Sequence, residues 1–525
     1  MSPIDAVRFA PNGIVCAVDH LAAGAGVQIL RRGGSAVDAA VATSAVLAVT
    51  TQHMCGMGGD LFALVSRDGD APLALNASGR AGSGADPDRL RAEGHTEMPM
   101  YDDIRAVPVP GCVDGWLALH ARGGRLDLAD VLGPAIGYAR DGFPASPGLS
   151  AAVDALGRRP AAAHLWVGGR PPQPGDLVRR PGVAQALEAV VRDGRDGFYG
   201  GEFGAGLVAL GRGEYVEADL AATLADWVDP LGLTVFGQQV WTIPPNSQGY
   251  LSLAAAWIAE GLDLPVDSGD PIWAHLTIEA ARAAAYDRVE VLHEHADGYA
   301  LIAPERLAPR RSAISRDRAQ QLGGTYRPGG TIHLAVVDRE RTGVSLIQSN
   351  AAGFGTMLAE PTTGIFLQNR GVGFSLQPGH QAEYGPGRRP PHTLAPALVT
   401  TDDHRLHTVL GTMGGDAQPQ ILLQLLARLL HDGEPAASAV AAARWALASR
   451  DGHGFSTWRD RGVVDVQLED GVPRSWAGEL TARGHSVVPR PYGAGFGHAH
   501  VITVRDDVLE GASDGRAVVG AAAGY

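Results

Sequence analysis

Arg327-Pro328-Gly329-Gly330-Thr331-Ile332-His333-Leu334-Ala335-Val336-Val337 marks the point at which the character of the chain changes. From Thr331 onward the residues are apolar or β-branched, a polar stretch fills 338–343, and Val344-Ser345-Leu346-Ile347-Gln348-Ser349 is a second run of the same kind. Two such runs around a polar turn predict a hairpin. The Gly329-Gly330 pair gives the backbone ahead of Thr331 unusual freedom. A threonine hydroxyl is a poor nucleophile unless a base lies beside it, and an N-terminal threonine carries one in its own α-amino group. That amine exists only if the chain is cut between Gly330 and Thr331. Taken alone, the fragment is more often just a turn entering a strand.

Working outward, Ser35 is placed to cap a helix over 36–49. The helix runs into the glycine-rich Thr51–Asp60 stretch, and 61–66 and 72–76 predict strands. The middle, from about 110 to 320, predicts mostly helix, with Gly/Pro breaks near 142–148, 168–175 and 243–249. Downstream, a strand over 406–410 feeds Gly411-Thr412-Met413-Gly414-Gly415, and an apolar helix follows over 420–430. Glycines between a strand and a helix present backbone N–H groups at a helix N-terminus, where a developing oxyanion can be held. Strands at both ends with helices between predict an α+β fold, a sheet sandwich covered by helices.

The chain has 525 residues and a net charge of −14, which argues against nucleic-acid or anionic-membrane partners. All 43 cationic side chains are arginine. The absence of lysine excludes Schiff-base chemistry, a pyridoxal phosphate linkage, serine–lysine dyads and a P-loop. Cys16, Cys55 and Cys112 are too scattered for a disulfide scaffold or zinc ribbon. The N-terminus shows no signal pattern, and Asp38, Thr43 and Ser44 interrupt the longest apolar run. We expect a cytoplasmic protein without cofactor or metal. Two rival chemistries have sequence support. Gly511-Ala512-Ser513-Asp514-Gly515 fits a nucleophile elbow, but no histidine follows it. His293-Glu294-His295 and His498-Ala499-His500 each space two imidazoles for one face of a strand, but a third metal ligand is not evident.

Further landmarks recur along the chain: Gly33-Gly34-Ser35-Ala36-Val37-Asp38-Ala39-Ala40, Gly56-Met57-Gly58-Gly59-Asp60, Asp196-Gly197-Phe198-Tyr199, Pro244-Pro245-Asn246-Ser247, Tyr286-Asp287-Arg288 and Gly511-Ala512-Ser513-Asp514-Gly515-Arg516. In this order they resemble the gamma-glutamyltranspeptidase family of N-terminal-nucleophile hydrolases over nearly the whole chain. The resemblance implies an αββα sandwich, self-cleavage before Thr331, and two associated subunits, 1–330 and 331–525. It assigns Thr331 as nucleophile, Ser349 as its supporting hydroxyl, Gly414 and Gly415 as the oxyanion hole, and Arg80 as the grip on a substrate carboxylate. A homodimer is compatible with it.

The departures from the family are equally specific. The segment that holds the glutamyl ammonium reads Leu367-Gln368-Asn369-Arg370-Gly371-Val372-Gly373-Phe374, with Gly373 where the family has an acid and Arg370 where it has glutamine. The family's paired serines are His392-Thr393, and an amine-holding asparagine is Ala351, with Asn350 one residue earlier. A cationic Arg370 repels an ammonium and attracts a carboxylate. Arg80, Arg370, His392, Thr393 and Asn350 are therefore the candidate substrate-binding residues. The substrate expected is an amide of a small carboxylate-bearing acyl group lacking an α-amine, as in the acylase and oxamate amidohydrolase branches of the family. The alternatives are a true gamma-glutamyltransferase or glutathione hydrolase, a biosynthetic C–C bond hydrolase using the same threonine, and an unprocessed, non-catalytic binding homologue.

Overall fold

The two runs after Thr331 do form a hairpin: Ile332–Val337 and Gly343–Ser349 pair antiparallel, from Ile332 opposite Gln348 to Val337 opposite Gly343. The computed structural model describes residues 7–320, 322, 331–449 and 464–525; the Gly329-Gly330 pair lies outside the described residues. The side chains of the hairpin alternate between two apolar cores, as a strand's period of two requires. Ile332, Leu334, Val336, Val344 and Leu346 face a core shared with helices. Ala335, Val337 and Ile347 face a second core that lies between two sheets.

The hairpin is the centre of a seven-stranded antiparallel sheet, in the order Ala521–Gly524, Ile14–Ala17, Ile332–Val337, Gly343–Ser349, Asp60–Ser66, Leu73–Ala77 and Asp226–Val228. A second antiparallel sheet of seven packs on it, in the order Val7–Ala10, Val508–Ser513, Ala499–Arg505, Leu406–Thr412, Ala397–Thr400, Gln238–Thr242 and Leu231–Val235. Ile14, Phe62, Leu64, Leu398, Val409 and Ile502 fill the space between the sheets. Helices cover both outer faces, so the layers run helix, sheet, sheet, helix. This is the expected α+β sandwich.

Ala36–Thr50 is buried at every residue, which suits an alanine- and valine-rich helix with no polar face. It begins in a capping box: Ser35 Oγ accepts the Asp38 N–H and the Asp38 carboxylate accepts the Ser35 N–H. That carboxylate also accepts the N–H of Arg125 at 2.8 Å, tying the helix start to the next layer. The outer face of the second sheet is covered by Tyr250–Glu260, Pro271–Ala285 and Gln418–Leu426.

The middle of the chain is mostly helix, as its sequence predicts, but it also supplies strands to both sheets. Asp226–Val228, Leu231–Val235 and Gln238–Thr242 are strands, and they complete both sheets. The last two are joined by Phe236 and Gly237, both at positive φ (50° and 72°). Such a two-residue turn matches the twist of paired strands, but Phe-Gly lacks the Asn-Gly or Asp-Gly signature. No helix among the described residues is long and apolar enough to cross a membrane.

Candidate active site

Thr331 sits one step beyond the paired Ile332 and Gln348, so the register of the hairpin carries it to Ser349. Its Oγ1 lies 3.1 Å from Ser349 Oγ, and both residues are fully buried. Ser349 Oγ also accepts the Ala351 N–H at 2.8 Å and an N–H of Arg370 at 3.2 Å. Ala351 donates from a left-handed backbone, φ 76°. Asn350, between them, turns away and donates to the Gln52 carbonyl at 3.2 Å.

Arg370 opens the short 3-10 turn Arg370–Gly373 and is buried. It spans the site, donating through one nitrogen to Ser349 and through the other to Thr393 Oγ1 at 2.8 Å. Burial pulls its guanidinium down to about 10, and the negative charges of Asp60 and Asp416 oppose that pull. It is therefore cationic at neutral pH. Thr393 is held from behind: Gln248 Nε2 donates to its carbonyl at 2.9 Å and to the Gly415 carbonyl at 3.0 Å.

Asp60 is the buried counterpart of Arg370. Its Oδ1 accepts from the Gly79 N–H at 2.9 Å and Gln368 Nε2 at 2.8 Å, and its Oδ2 meets His392 Nε2 at 3.0 Å. His392 Nδ1 accepts the Leu394 N–H, which leaves the ring proton on Nε2 facing the carboxylate. Burial, then the charge of Arg370, hold His392 down to about 3, so the pair is a neutral imidazole on a carboxylate. The glycines before Asp60 allow the close approach. A Cβ on Gly59 would lie 2.3 Å from the Ser349 carbonyl oxygen, and one on Gly58 2.1 Å from that of Phe366.

Gly414 and Gly415 follow Leu406–Thr412 on the facing sheet. The His333 ring packs where a Cβ on Gly411 would be, 2.3 Å away. Thr331, two residues before His333, and Gly414, three after Gly411, thus come to the same end of the sandwich. Gly414 and Gly415 take φ of 145° and 57°, a conformation that favours glycine. The turn Gly415–Ala417 leads into Gln418–Leu426, so these N–H groups stand ahead of a helix.

Thr331, Ser349, Arg370 and Thr393 are thus linked by hydrogen bonds, with His392 behind them. Arg80 is placed differently. It is about one-third exposed, donates to Glu294 at 3.1 Å and the Gly387 carbonyl at 2.9 Å, and lies 3.9 Å from Asp226. Glu294 and the Gly387 carbonyl share one of its guanidinium nitrogens. Gly330 lies outside the described residues. Three further residues around the site, Asp60, Gln248 and Asp416, do not declare their roles in the sequence. Asp60 closes the Gly-Met-Gly-Gly-Asp landmark and Gln248 follows Pro-Pro-Asn-Ser, but their roles depend on distant partners.

The rival chemistries find little support in the geometry. Ser513 ends a strand that turns into another strand, Ala521–Gly524, not a helix. Asp514 beside it is spent on Arg444 and Arg516, whose charges hold its carboxyl well below the usual range despite burial. His500 stacks on His333 inside the sandwich, and His295 is exposed. Among the described residues no group of three or more His, Cys, Asp or Glu could hold a metal ion.

The family model described as gamma-glutamyltranspeptidase matches residues 22–525. The oxamate amidohydrolase proenzyme of Klebsiella pneumoniae is 35% identical, over 98% of this chain and 98% of its own. The glutathione hydrolase-like YwrD proenzyme of Bacillus subtilis is 34% identical, over 96% and 97%. A crystal structure of a cephalosporin acylase from Bacillus halodurans superposes with a TM-score of 0.89 at 33% identity, covering 99% of this chain and 97% of that one. The glutathione hydrolase proenzyme of Escherichia coli is more distant, at 27%.

Proposed function

We propose that this chain, which belongs to the gamma-glutamyltranspeptidase family and is an N-terminal-nucleophile hydrolase of its amidohydrolase and acylase side, cuts itself between Gly330 and Thr331. We read it as hydrolysing amides of small, carboxylate-bearing acyl groups that lack an α-amine. Cleavage frees the α-amine of Thr331. That amine takes the proton from Thr331 Oγ1 as the oxygen attacks the acyl carbonyl. The N–H groups of Gly414 and Gly415 receive the oxyanion, each such donor typically worth about 3–4 kcal/mol. Collapse expels the amine, which takes the proton held on the α-ammonium, and water then resolves the Thr331 ester. The products are the acid and the amine.

The observation that carries the acyl preference is Arg370, a buried cation 3.2 Å from Ser349 Oγ. A second observation supports it. A Cβ at Gly373, where an ammonium-binding acid would stand, would lie 2.4 Å from the Pro391 carbonyl oxygen, so the backbone leaves no room for one. A gamma-glutamyl ammonium would enter beside a like charge, a costly arrangement away from water. The names of the relatives, an oxamate amidohydrolase and a cephalosporin acylase, fit carboxylate-bearing amides. Glutaryl and oxalyl amides should therefore exceed the matched gamma-glutamyl amide in kcat/KM by at least about tenfold, the equivalent of about 1.4 kcal/mol. Side-by-side assays of the processed enzyme decide this. A clear preference for the gamma-glutamyl amide would make the protein a glutathione hydrolase instead.

A further inference from the structure

Two imidazoles that the chemistry so far does not use stand beside the nucleophile and the oxyanion turn. His53 lies between Gln52 and Met54, whose carbonyls both accept from Asn350: its Nδ2 donates to Gln52 at 3.2 Å and its backbone N–H to Met54 at 3.3 Å. Asn350 follows Ser349, so this loop is tied to the residue next to the nucleophile's partner. Buried Arg180 donates to Gln52 Oε1 and holds the loop from behind. On the facing sheet Ala499 is opposite Thr412, and the His498 carbonyl accepts the Met413 N–H at 3.1 Å, one residue ahead of Gly414. His53 and His498 thus approach the same end of the sandwich from its two sides, and they are near enough for one ring to act on the charge of the other.

Both residues are partly accessible, while their Nδ1 atoms are buried and have no hydrogen-bond partner among the described residues. Burial, then the neighbouring His498, hold His53 down to about 4, and burial lowers His498 as well. Both rings are therefore neutral at neutral pH. A neutral imidazole keeps one ring nitrogen as an acceptor in either tautomer. The neighbours of His53 are apolar or small: the Phe354 ring lies 6.3 Å away, and a Cβ on Gly148, at the exposed edge, would be 3.3 Å from His53 Nε2. The charges that bear on His498 are those of Asp514, Arg444 and Arg516, whereas Arg370 bears on His392. The pair is thus set apart from the cationic side that would take the acyl carboxylate.

We propose that His53 and His498 form the leaving-group side of the site, an imidazole nitrogen accepting an N–H of the amide nitrogen that Thr331 displaces. The proposal rests on Thr331 being the nucleophile of an amidohydrolase. It deepens that reading by naming the leaving group: an amine whose nitrogen bears hydrogen, set against an uncharged, partly aromatic wall. When the tetrahedral intermediate collapses, the C–N bond breaks and its electron pair stays with the nitrogen, which takes the proton carried by the α-ammonium. The imidazoles take no proton. The nitrogen gains positive charge on the way, so its bond to an imidazole acceptor strengthens toward the transition state and speeds acylation.

An ester supplies the contrast for the test. Its leaving oxygen carries no hydrogen for an imidazole to accept, and p-nitrophenolate departs as an anion. We would measure kcat/KM for a glutaryl p-nitroanilide and the matched p-nitrophenyl ester with the processed parent, His53→Phe and His498→Phe. Phenylalanine keeps the bulk of the ring and removes its nitrogens. In at least one variant the amide-to-ester ratio should fall by about threefold to tenfold, the worth of one hydrogen bond, and glutamine at that position, which keeps an acceptor, should recover part of it. A packing defect lowers both substrates alike, so an unchanged ratio in both variants overturns the proposal. Should neither variant fold and process, the parent decides. Scaled to their rates with hydroxide, a glutaryl amide whose leaving nitrogen bears hydrogen should exceed its N-methyl counterpart by at least about threefold; equal scaled rates overturn the proposal. A parent with no fragment beginning at Thr331, or one that turns over neither glutaryl nor oxalyl substrates, contradicts the proposed function instead, a distinguishable result.

Discussion

Two arginines present themselves for a substrate carboxylate, and their surroundings separate them. Arg370 is buried beside Ser349, whereas Arg80 is partly exposed and already paired with Glu294. A partly exposed guanidinium that already has a carboxylate partner gains little from a second one, about 0–1 kcal/mol. We therefore expect Arg80→Ala to process normally and to raise KM for a carboxylate-bearing amide by less than about fivefold. A much larger rise in KM at unchanged kcat would put the carboxylate at Arg80, as the family resemblance alone implies. Thr331, Ser349, Gly414 and Gly415 can be named as candidates from the sequence because they stand at fixed places in motifs. Asp60 and Gln248 cannot, because their meaning comes from His392, Thr393 and Gly415, far away along the chain.

Among the elements, the strand carrying Thr331 is set by contacts on both faces. Toward the helices it lies under Ala36–Thr50, whose cap and continuous burial could be read from Ser35 and the run after it. Toward the other sheet, the His333 ring fills the space over Gly411, and its Nε2 lies 3.0 Å from Ser345 Oγ, which donates to the Leu410 carbonyl. Gly411→Ala would place a methyl 2.3 Å from that ring. Overpacking of this kind costs about 1–3 kcal/mol. We expect a lower denaturant midpoint and slower appearance of the two fragments on a denaturing gel, since the ring is two residues from Thr331. Parental stability and parental processing would show that the strand does not transmit the strain. The strands Leu231–Val235 and Gln238–Thr242 are not announced by the sequence for a local reason: each is short, and Phe-Gly is not a familiar hairpin turn.

At the scale of the whole molecule, the two halves that cleavage would create are interleaved. In one sheet Ile332–Val337 and Gly343–Ser349 lie between Ile14–Ala17 and Asp60–Ser66; in the other, Ala397–Thr400 pairs with Gln238–Thr242. Separating the halves would break both sheets and expose the apolar cores between and outside them. Processing therefore need not change the fold, and the fragments should stay together until denatured. The α+β sandwich was legible from the pattern of strands and helices, but which strands neighbour which was not, since the order mixes both ends of the chain with its middle. The most direct measurement is N-terminal sequencing of the smaller fragment from protein purified as a single native-sized species. We predict a sequence beginning Thr331-Ile332-His333-Leu334, and a single uncut chain with no activity from Thr331→Ala. An active enzyme whose second N-terminus lies elsewhere, or that remains one intact chain, would contradict the assignment of Thr331 as the nucleophile.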